Sequence, residues 1–298
     1  MSFLVDLLNH APLLSLSWLK LSIIFLIVGY GTKMGLAPMH TWKPDAYGQT
    51  AAPLAALMSS ALTACGFLAM FRVCQIAFHA HLQDFISPVL VLLGLLSLGV
   101  AAIFILGQKD FQRMLGYSSI EHMGLLVLGL GLGGAGLWAS VFHMINNAFA
   151  KALIFLTAGN LYQIYHTKKI EDIQGVIHKF KATGLFLILG LVVLAGFPPF
   201  GIFYSELLIL KQALTGHHYV VVCLYLLFLS VIFIGFSKII LSMALGKGSL
   251  HEKTDVKEDF FMIMPQAVFV VILLFIGIFM PDSFYRVINE AANLLGGR

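Results

Sequence analysis

Long runs of apolar residues, separated by short polar segments, dominate the sequence. A helix that spans a membrane needs about 20 mostly apolar residues, and eight segments meet this requirement. They are residues 13–33, 51–78, 85–107, 114–132, 137–162, 182–214, 219–245 and 260–280. This pattern predicts an all-α polytopic membrane protein with about eight transmembrane helices, embedded in the lipid bilayer.

Two of the apolar runs contain residues that interrupt a helix. In the sixth run, Pro198 and Pro199 stand between Gly196 and Gly201. Proline lacks an N–H donor and clashes with the preceding turn, so this run should divide into two half-helices. The first run ends in a comparable glycine-rich stretch that reaches Pro38.

An ionisable residue lies near each interruption, Lys33 in the first run and Glu206 in the sixth. Broken segments at matching places in two halves are typical of transporters built from inverted repeats. We therefore expect residues 79–245 to form a complete five-helix unit and residues 1–78 to form the tail of another. Residues 246–298 should supply a cytoplasmic loop and the final transmembrane helix.

Composition narrows the class of protein further. Hydrophobic residues make up 59% of the 298 residues and charged residues only 11%, and the mean hydropathy is +0.93. Soluble domains are about 25% charged, so these values exclude a soluble enzyme, a disordered protein and a nucleic-acid binder. The sequence also has no phosphate-binding loop, no metal-ligand spacing and no nucleophilic motif, so we expect no cofactor, no metal and no redox site.

The basic residues indicate an orientation in the membrane, because cytoplasmic loops carry an excess of lysine and arginine. Basic residues concentrate in the loops after the first, third, fifth and seventh runs: Lys43, Lys109, Arg113, Lys168, Lys169, Lys179, Lys181, Lys247, Lys253 and Lys257. We therefore expect a multi-pass protein of the inner (plasma) membrane with both termini outside the cytoplasm.

Ionisable residues inside membrane spans are costly and indicate a functional site. His143, Asn147 and Lys151 stand four residues apart, and four residues turn a helix by about 400°, so the three form one stripe about 12 Å long. The stripe is either a proton relay, with Glu206 as the counterpart of Lys151, or a hydrogen-bonded seam between helices. Glu121-His122 is a second titratable pair, or else a packed polar cluster.

Four motifs together resemble the antiporter-like membrane subunits shared by respiratory complex I, Mrp-type cation/proton antiporters and membrane-bound hydrogenases. They are residues 33–46, 116–124, 143–151 and 196–206. The amino-acid sequence of residues 118–124 is most similar to that of component F of hydrogenase-4, of the formate hydrogenlyase type.

The resemblance implies proton translocation coupled to redox chemistry in other subunits, namely further membrane subunits and a peripheral redox arm. Lys33 matches the family's lysine at the first broken helix, Lys151 its central lysine, and Glu206 its charged residue at the second broken helix. His143 matches one of two family histidines, and Asn147 stands where many members have the other.

Two further departures from the family pattern bear on function. Met58 and Thr63 lie in the second run, where complex I members can carry histidine or lysine. The chain also corresponds to the second half of a full member, so the glutamate that pairs with Lys33 in the family has no counterpart. We expect an upstream reading frame to encode the preceding helices unless they have been lost.

Two other functions remain open at this stage. Loss of half of one repeat favours a structural membrane scaffold that no longer transports. A free-standing cation/proton carrier is the third possibility, and neighbouring genes for hydrogenase or quinone-oxidoreductase subunits would count against it.

Overall fold

The structure is a computed structural model that describes residues 15–247 and 257–296. Within these ranges every extended regular element is a helix, which confirms the predicted all-α fold. The helices are α1 (Leu16–Met34), α2 (Trp42–Gln49), α3 (Ala52–His79), α4 (Gln83–Ile105), α5 (Phe111–Leu132), α6 (Ala135–Tyr165), α7 (Val176–Lys179), α8 (Lys181–Leu194), α9 (Gly201–Thr215), α10 (Tyr219–Leu245), α11 (Phe260–Phe279) and α12 (Asp282–Gly296).

Seven of these helices are long and apolar enough to cross a membrane, or eight when a bent pair that includes α8 is counted as one span. The number agrees with the eight predicted runs, although the bent pair covers residues 170–194 and the sixth run covers residues 182–214. The sixth run, residues 182–214, is divided between α8 and α9, as its two prolines require. Helix α3 contains one π-helical turn, Met58–Leu62.

Helices α5 and α6 form the centre of the bundle. Of an 18-residue apolar stretch in each helix, 94% is buried in α5 and 72% in α6, against 17% in α1 and 22% in α11. The outer helices therefore carry the surface that faces lipid or neighbouring subunits, and polar side chains on α5 and α6 lie in the protein interior.

Small residues allow α5 to pack closely against α4. A Cβ atom on Gly94 would lie 2.9 Å from the carbonyl oxygen of Gly124, and a Cβ atom on Gly124 would lie 2.9 Å from that of Gly94. Membrane helices use such small residues because lipid provides no hydrophobic force to drive helices together. This contact fixes the position of α5 and hence of its polar residues.

Both predicted helix breaks are present, and each contains a glycine with a positive φ. Helix α1 continues through Lys33 and ends at Met34, where Gly35 adopts the left-handed conformation with φ 76°. Gly196 follows α8 with φ 64°. A glycine tolerates this conformation without steric penalty, so each chain reversal has a direct cause in the sequence.

Lys43, which the sequence analysis counts among the basic residues after the first run, has its side chain buried in the protein. Helix α2 packs against α5, and a Cβ atom on Gly116 of α5 would lie 2.8 Å from the Cα atom of Pro44. This contact leaves Lys43 fully buried. Its neighbour Asp45 instead reaches the surface and forms an ion pair with Arg113 at 2.9 Å.

Candidate functional site

A buried lysine in the middle of α6 is the centre of the site. Lys151 has no exposed surface, and its Nζ donates a hydrogen bond to Oγ of Ser118 on α5, at 2.7 Å. The Ser118 hydroxyl in turn donates to Oε2 of Glu121, at 3.4 Å. Lys151 and Glu121 are therefore joined through one hydroxyl group, in a direction that allows a proton to pass from the amine towards the carboxylate.

Two histidines form a second hydrogen-bonded chain next to the first. Nδ1 of His122 lies 3.0 Å from Nε2 of His143, and Nδ1 of His143 lies 2.8 Å from Oγ of Ser205 on α9. All three side chains are buried. The sequence treated Glu121-His122 as a pair separate from the His143–Lys151 stripe, but the structure combines them into one cluster.

The hydroxyl proton of Ser205 fixes the tautomers of the two neutral histidines. That hydroxyl donates to the carbonyl oxygen of Ile202 at 2.7 Å, so His143 must donate to Ser205 from Nδ1–H. Neutral His143 then accepts at Nε2 from Nδ1–H of His122. This leaves the lone pair of His122 Nε2 free, and that buried atom indeed has no hydrogen-bond partner in the described part of the chain.

Asn147 lies between the two chains on the stripe of α6. Its Oδ1 is buried and has no partner among the described protein atoms. Buried polar atoms are nearly always paired with protein or with an ordered water. Asn147 is thus suited to hold a water molecule between His143 and Lys151.

In the described part of the chain no hydrogen bond or ion pair joins Glu206 to Lys151, although the sequence paired the two. It lies instead, with Ser118 and Glu121, in the lining of a cavity of about 40 Å³ whose other walls are mainly apolar. This volume accommodates one or two water molecules. Glu121 therefore occupies the position next to Lys151 that was expected for Glu206, and Glu206 is connected to Glu121 through the cavity.

The second helix break shapes this arrangement. The Glu206 carboxylate occupies the space where Gly196 lacks a side chain, and the Asn146 amide does the same at Gly201. On α11, Gly277 lets the carbonyl oxygen of Pro199 approach its backbone closely. Glycine is thus favoured on both sides of the prolines, because a Cβ atom would displace the Glu206 carboxylate at Gly196 or the Asn146 amide at Gly201.

Lys33 lies apart from the cluster. It is exposed on α1 and lines an open groove with residues that include Tyr30 and Cys65. No acidic side chain in the described ranges forms an ion pair with it. Pro38 is likewise exposed, beyond the end of α1. The structure therefore does not join the first-break lysine to the Lys151 cluster directly.

Sequence reasoning missed three residues of the site. Ser118 and Ser205 connect the titratable groups, and Lys43 lies beside Ser119 with its Nζ 3.5 Å from that carbonyl oxygen. Ser118 and Ser119 belong to the motif at residues 116–124, which was the only signal for them. In the described part of the chain no group of three His, Cys, Asp or Glu side chains is placed to hold a metal ion.

A bundle of transmembrane helices with a lysine, a glutamate and two histidines in its interior defines a class, that of polytopic membrane proteins with an intramembrane chain of ionisable groups. Comparison with known sequences specifies the family. The chain belongs to the family described as NADH:quinone oxidoreductase/Mrp antiporter, TM, whose profile matches residues 4–235. The resemblance found in the four motifs is thereby confirmed.

Curated relatives include the hydrogenase-4 component F homolog of Methylacidiphilum infernorum (isolate V4), 36% identical over 222 residues, which are 74% of this chain and 46% of that protein. NADH-quinone oxidoreductase subunit N of Desulforudis audaxviator (strain MP104C) is 31% identical over 65% of this chain and 39% of its own length. The chain thus spans about half the length of the curated relatives it matches.

Solved structures confirm the architecture. A chain of the membrane-bound sulfane sulfur reductase, an archaeal respiratory membrane complex, has a TM-score of 0.83 and 27% identity, with 93% of this chain and 56% of that chain covered. A chain of respiratory complex I from Thermus thermophilus with bound NADH has a TM-score of 0.84 over 99% of this chain and 62% of its own. At 23% identity the latter shows the fold alone.

Proposed function

We propose that this chain conducts protons across the membrane as a subunit of a hydrogenase-4-like or complex I-like assembly, in which partner subunits carry out the redox chemistry. The observation that carries the proposal is the Lys151–Ser118–Glu121 hydrogen-bonded chain in the buried centre of α5 and α6. Relatives described as a hydrogenase-4 component and a quinone-oxidoreductase subunit support the assembly with other membrane subunits and a peripheral redox arm.

The chain Lys151–Ser118–Glu121 provides two balanced protonation states. With Lys151 as ammonium and Glu121 as carboxylate, the lysine proton moves to Ser118 while the Ser118 proton moves to Glu121. The products are a neutral amine and a neutral carboxylic acid. A buried ion pair is stabilised little relative to neutral groups, so a charge change in a neighbouring subunit is sufficient to shift this equilibrium.

The cavity beside Glu121 connects this chain to the second helix break. Glu206 lies beside Gly196 at the break, and a proton taken up there reaches Glu121 through water in the cavity. Freed backbone groups at a break in the membrane need internal partners or water. We therefore place the cytoplasmic entry at Pro198 and Pro199.

The histidine chain provides the opposite exit. A proton taken up at the free lone pair of His122 Nε2 displaces the Nδ1 proton of His122 onto Nε2 of His143, which keeps its own Nδ1–H bond to Ser205. In this scheme Asn147 carries a water molecule rather than a proton, because an amide does not titrate.

Asn147→His should be tolerated. A histidine at this position faces the same neighbours and adds a titratable group to the stripe, which many family members are expected to have. We expect proton translocation within about twofold of wild type, measured as acidification of inverted vesicles at matched subunit abundance. A tenfold loss at normal abundance would show that the position needs an amide, and the water-holding role assigned to Asn147 would be wrong.

The orientation and the division of the chain into repeat units remain proposals. We infer that residues 1–78, 79–245 and 246–298 correspond to the tail, the complete unit and the final helix, with the termini outside the cytoplasm. Lys43 is buried and does not bear on the orientation. The basic residues in the loops after the third, fifth and seventh runs support it.

Reporter fusions test the orientation directly. A fusion after Lys179 should give a cytoplasmic signal and a fusion after Arg298 an extracytoplasmic one, because the polar connections after α6 and α10 are rich in lysine. The measurement pairs a reporter that is active only in the cytoplasm with one that is active only outside it. The reverse pattern, or both signals on one side, contradicts the proposed topology.

Proton translocation itself is tested in inverted membrane vesicles that contain the assembled complex. Acidification of the lumen is followed by a pH-sensitive dye and normalised to subunit abundance. The decisive variant is Lys151→Met, since Lys151 begins the hydrogen-bonded chain that carries the proposal.

A further inference from the structure

Lys43 is a second fully buried lysine that the relay described above does not use. Its Nζ donates to the carbonyl oxygen of Met34 at 2.5 Å and lies 3.5 Å from that of Ser119. The ring of Tyr47 lies 5.8 Å from the same atom. Its ion-pair and hydrogen-bond partners in the described ranges include no carboxylate.

Such an environment is unusual for a permanently charged ammonium group. Burial of a charge without an ionised partner is strongly unfavourable, and a packed apolar side chain is often as stable. The nearby carboxylate of Asp45 does not neutralise Lys43, because it pairs with Arg113 at the surface. Two carbonyl oxygens and an aromatic face accept either an ammonium or a neutral amine that retains N–H donors.

The position of Lys43 connects two parts of the protein. Met34 is the last residue of α1, directly after Lys33 and directly before the first break. Ser119 follows Ser118, the hydroxyl group that binds Lys151. Lys43 therefore contacts the first break on one side and, on the other, the residue next to the serine that binds Lys151.

Tyr47 provides a further link between Lys43 and α6. Its ring contacts Lys43 on α2 and lies edge-on to Phe155, at a centroid distance of 5.4 Å, one helical turn beyond Lys151. The Tyr47 hydroxyl is buried and has no hydrogen-bond partner in the described part of the chain.

We propose that Lys43 is a proton-binding residue of the relay, which extends it from the Lys151 cluster to the first helix break. The proposal rests on the proton-conducting function proposed above. Protonation of Lys43 repels a proton from Lys151, so that arrival of a proton at one lysine favours its release from the other. In the second run, Met58 and Thr63 offer no titratable group for this step, and Lys43 supplies one from a different helix.

The competing explanation is that Lys43 only caps α1. The last carbonyl groups of a helix lack internal partners, and a cation near this end is favoured by the helix dipole. A cap requires an N–H donor or a positive charge but no release of a proton. Glutamine retains N–H donors at similar length, and arginine retains the charge without titrating, so these two substitutions distinguish the cap from the relay.

The test compares Lys43→Gln, Lys43→Arg and Lys43→His in inverted vesicles that contain the whole complex. We expect glutamine and arginine to lower translocation at least tenfold at wild-type abundance. Histidine should retain translocation with its pH profile displaced to lower pH, because the unperturbed pKa of histidine is about 6.5 and that of lysine about 10.4.

Wild-type translocation by Lys43→Gln or Lys43→Arg overturns the proposal, since neither side chain releases a proton. If neither variant accumulates in the membrane, Lys43→Met is measured, and failure of all three to accumulate assigns Lys43 to a structural cap and also overturns the proposal. Lys151→Met in the same assay distinguishes failure of the proposed proton-conducting function from failure of the role proposed for Lys43. Loss of translocation in Lys151→Met with normal translocation in Lys43→Gln refutes the role of Lys43 alone.

Discussion

Lys151→Met should abolish proton translocation while the complex remains present at normal abundance. Methionine has a similar length and fills the same apolar space, but it removes the amine that donates a hydrogen bond to Ser118. The Ser118 hydroxyl can still donate to Glu121, so the packing of α5 against α6 is retained. The measurement is acidification of inverted vesicles, compared with subunit abundance in the same membranes, and the expected signal is at least tenfold below wild type.

Lys238→Met is the matched control for this experiment. Lys238 lies in the transmembrane helix α10 and is exposed, so the same chemical change there removes a charge without affecting the buried cluster. It should leave translocation within about twofold of wild type. Normal translocation in Lys151→Met would contradict the proposed function and would favour the structural scaffold that the sequence left open.

The transmembrane organisation of this chain could be predicted from its sequence because lipid imposes a simple rule on each helix. The eight apolar runs and both breaks could be located from one-dimensional features, namely run length, Pro198-Pro199 and the glycines near position 35. The breaks are local properties, since proline and a positive φ at glycine act on the adjacent backbone. No information about the packing of other helices was needed to locate them.

The burial of Lys43 could not be predicted in this way. In sequence it stands beside Trp42, Pro44 and Asp45, a composition typical of a polar connection. It becomes buried because α2 packs on α5, where Gly116 and Gly48 leave room for Pro44 and Arg113. This contact joins residues about 70 positions apart in the chain, a separation that charge patterning does not reveal.

The hydrogen-bonded connection from Lys151 to Glu121 could not be predicted for a similar reason. Glu206 was favoured because it follows the second break, and proximity to a break is a feature of the sequence. The structure joins Lys151 to Glu121 through Ser118, which is 33 residues away from Lys151 in the chain. Serine is too common in helices to be singled out, so neither Ser118 nor Ser205 was identified as a connecting group.

Glu121 is consequently the residue on which both ends of the proposed path depend. It receives the Ser118 hydrogen bond on one side and shares a cavity with Glu206 on the other. His122, the adjacent residue, begins the histidine chain through His143. A single turn of α5 thus carries the branch point between the entry from the second break and the exit along the histidines.

Glu121→Gln should therefore lower translocation at least tenfold without loss of the folded complex. Glutamine can still accept the Ser118 hydrogen bond through its carbonyl oxygen, but it cannot take up the proton. The charged state of Lys151 then lacks its acidic partner, so the lysine should remain neutral. Abundance and acidification are measured as for Lys151→Met, and wild-type translocation in Glu121→Gln would exclude this carboxylate from the path.

The double variant Lys151→Met/Glu121→Gln tests whether the two groups act as one unit. If both belong to one proton path, the second substitution should add little to the loss caused by the first, whereas independent contributions add. Thermal stability of the detergent-solubilised complex provides a second measure. Each single variant leaves one buried ionisable group without its partner, which should lower the stability of the fold, and removing both groups should recover part of that loss. Strictly additive effects on both translocation and stability would show that Lys151 and Glu121 are not coupled through Ser118.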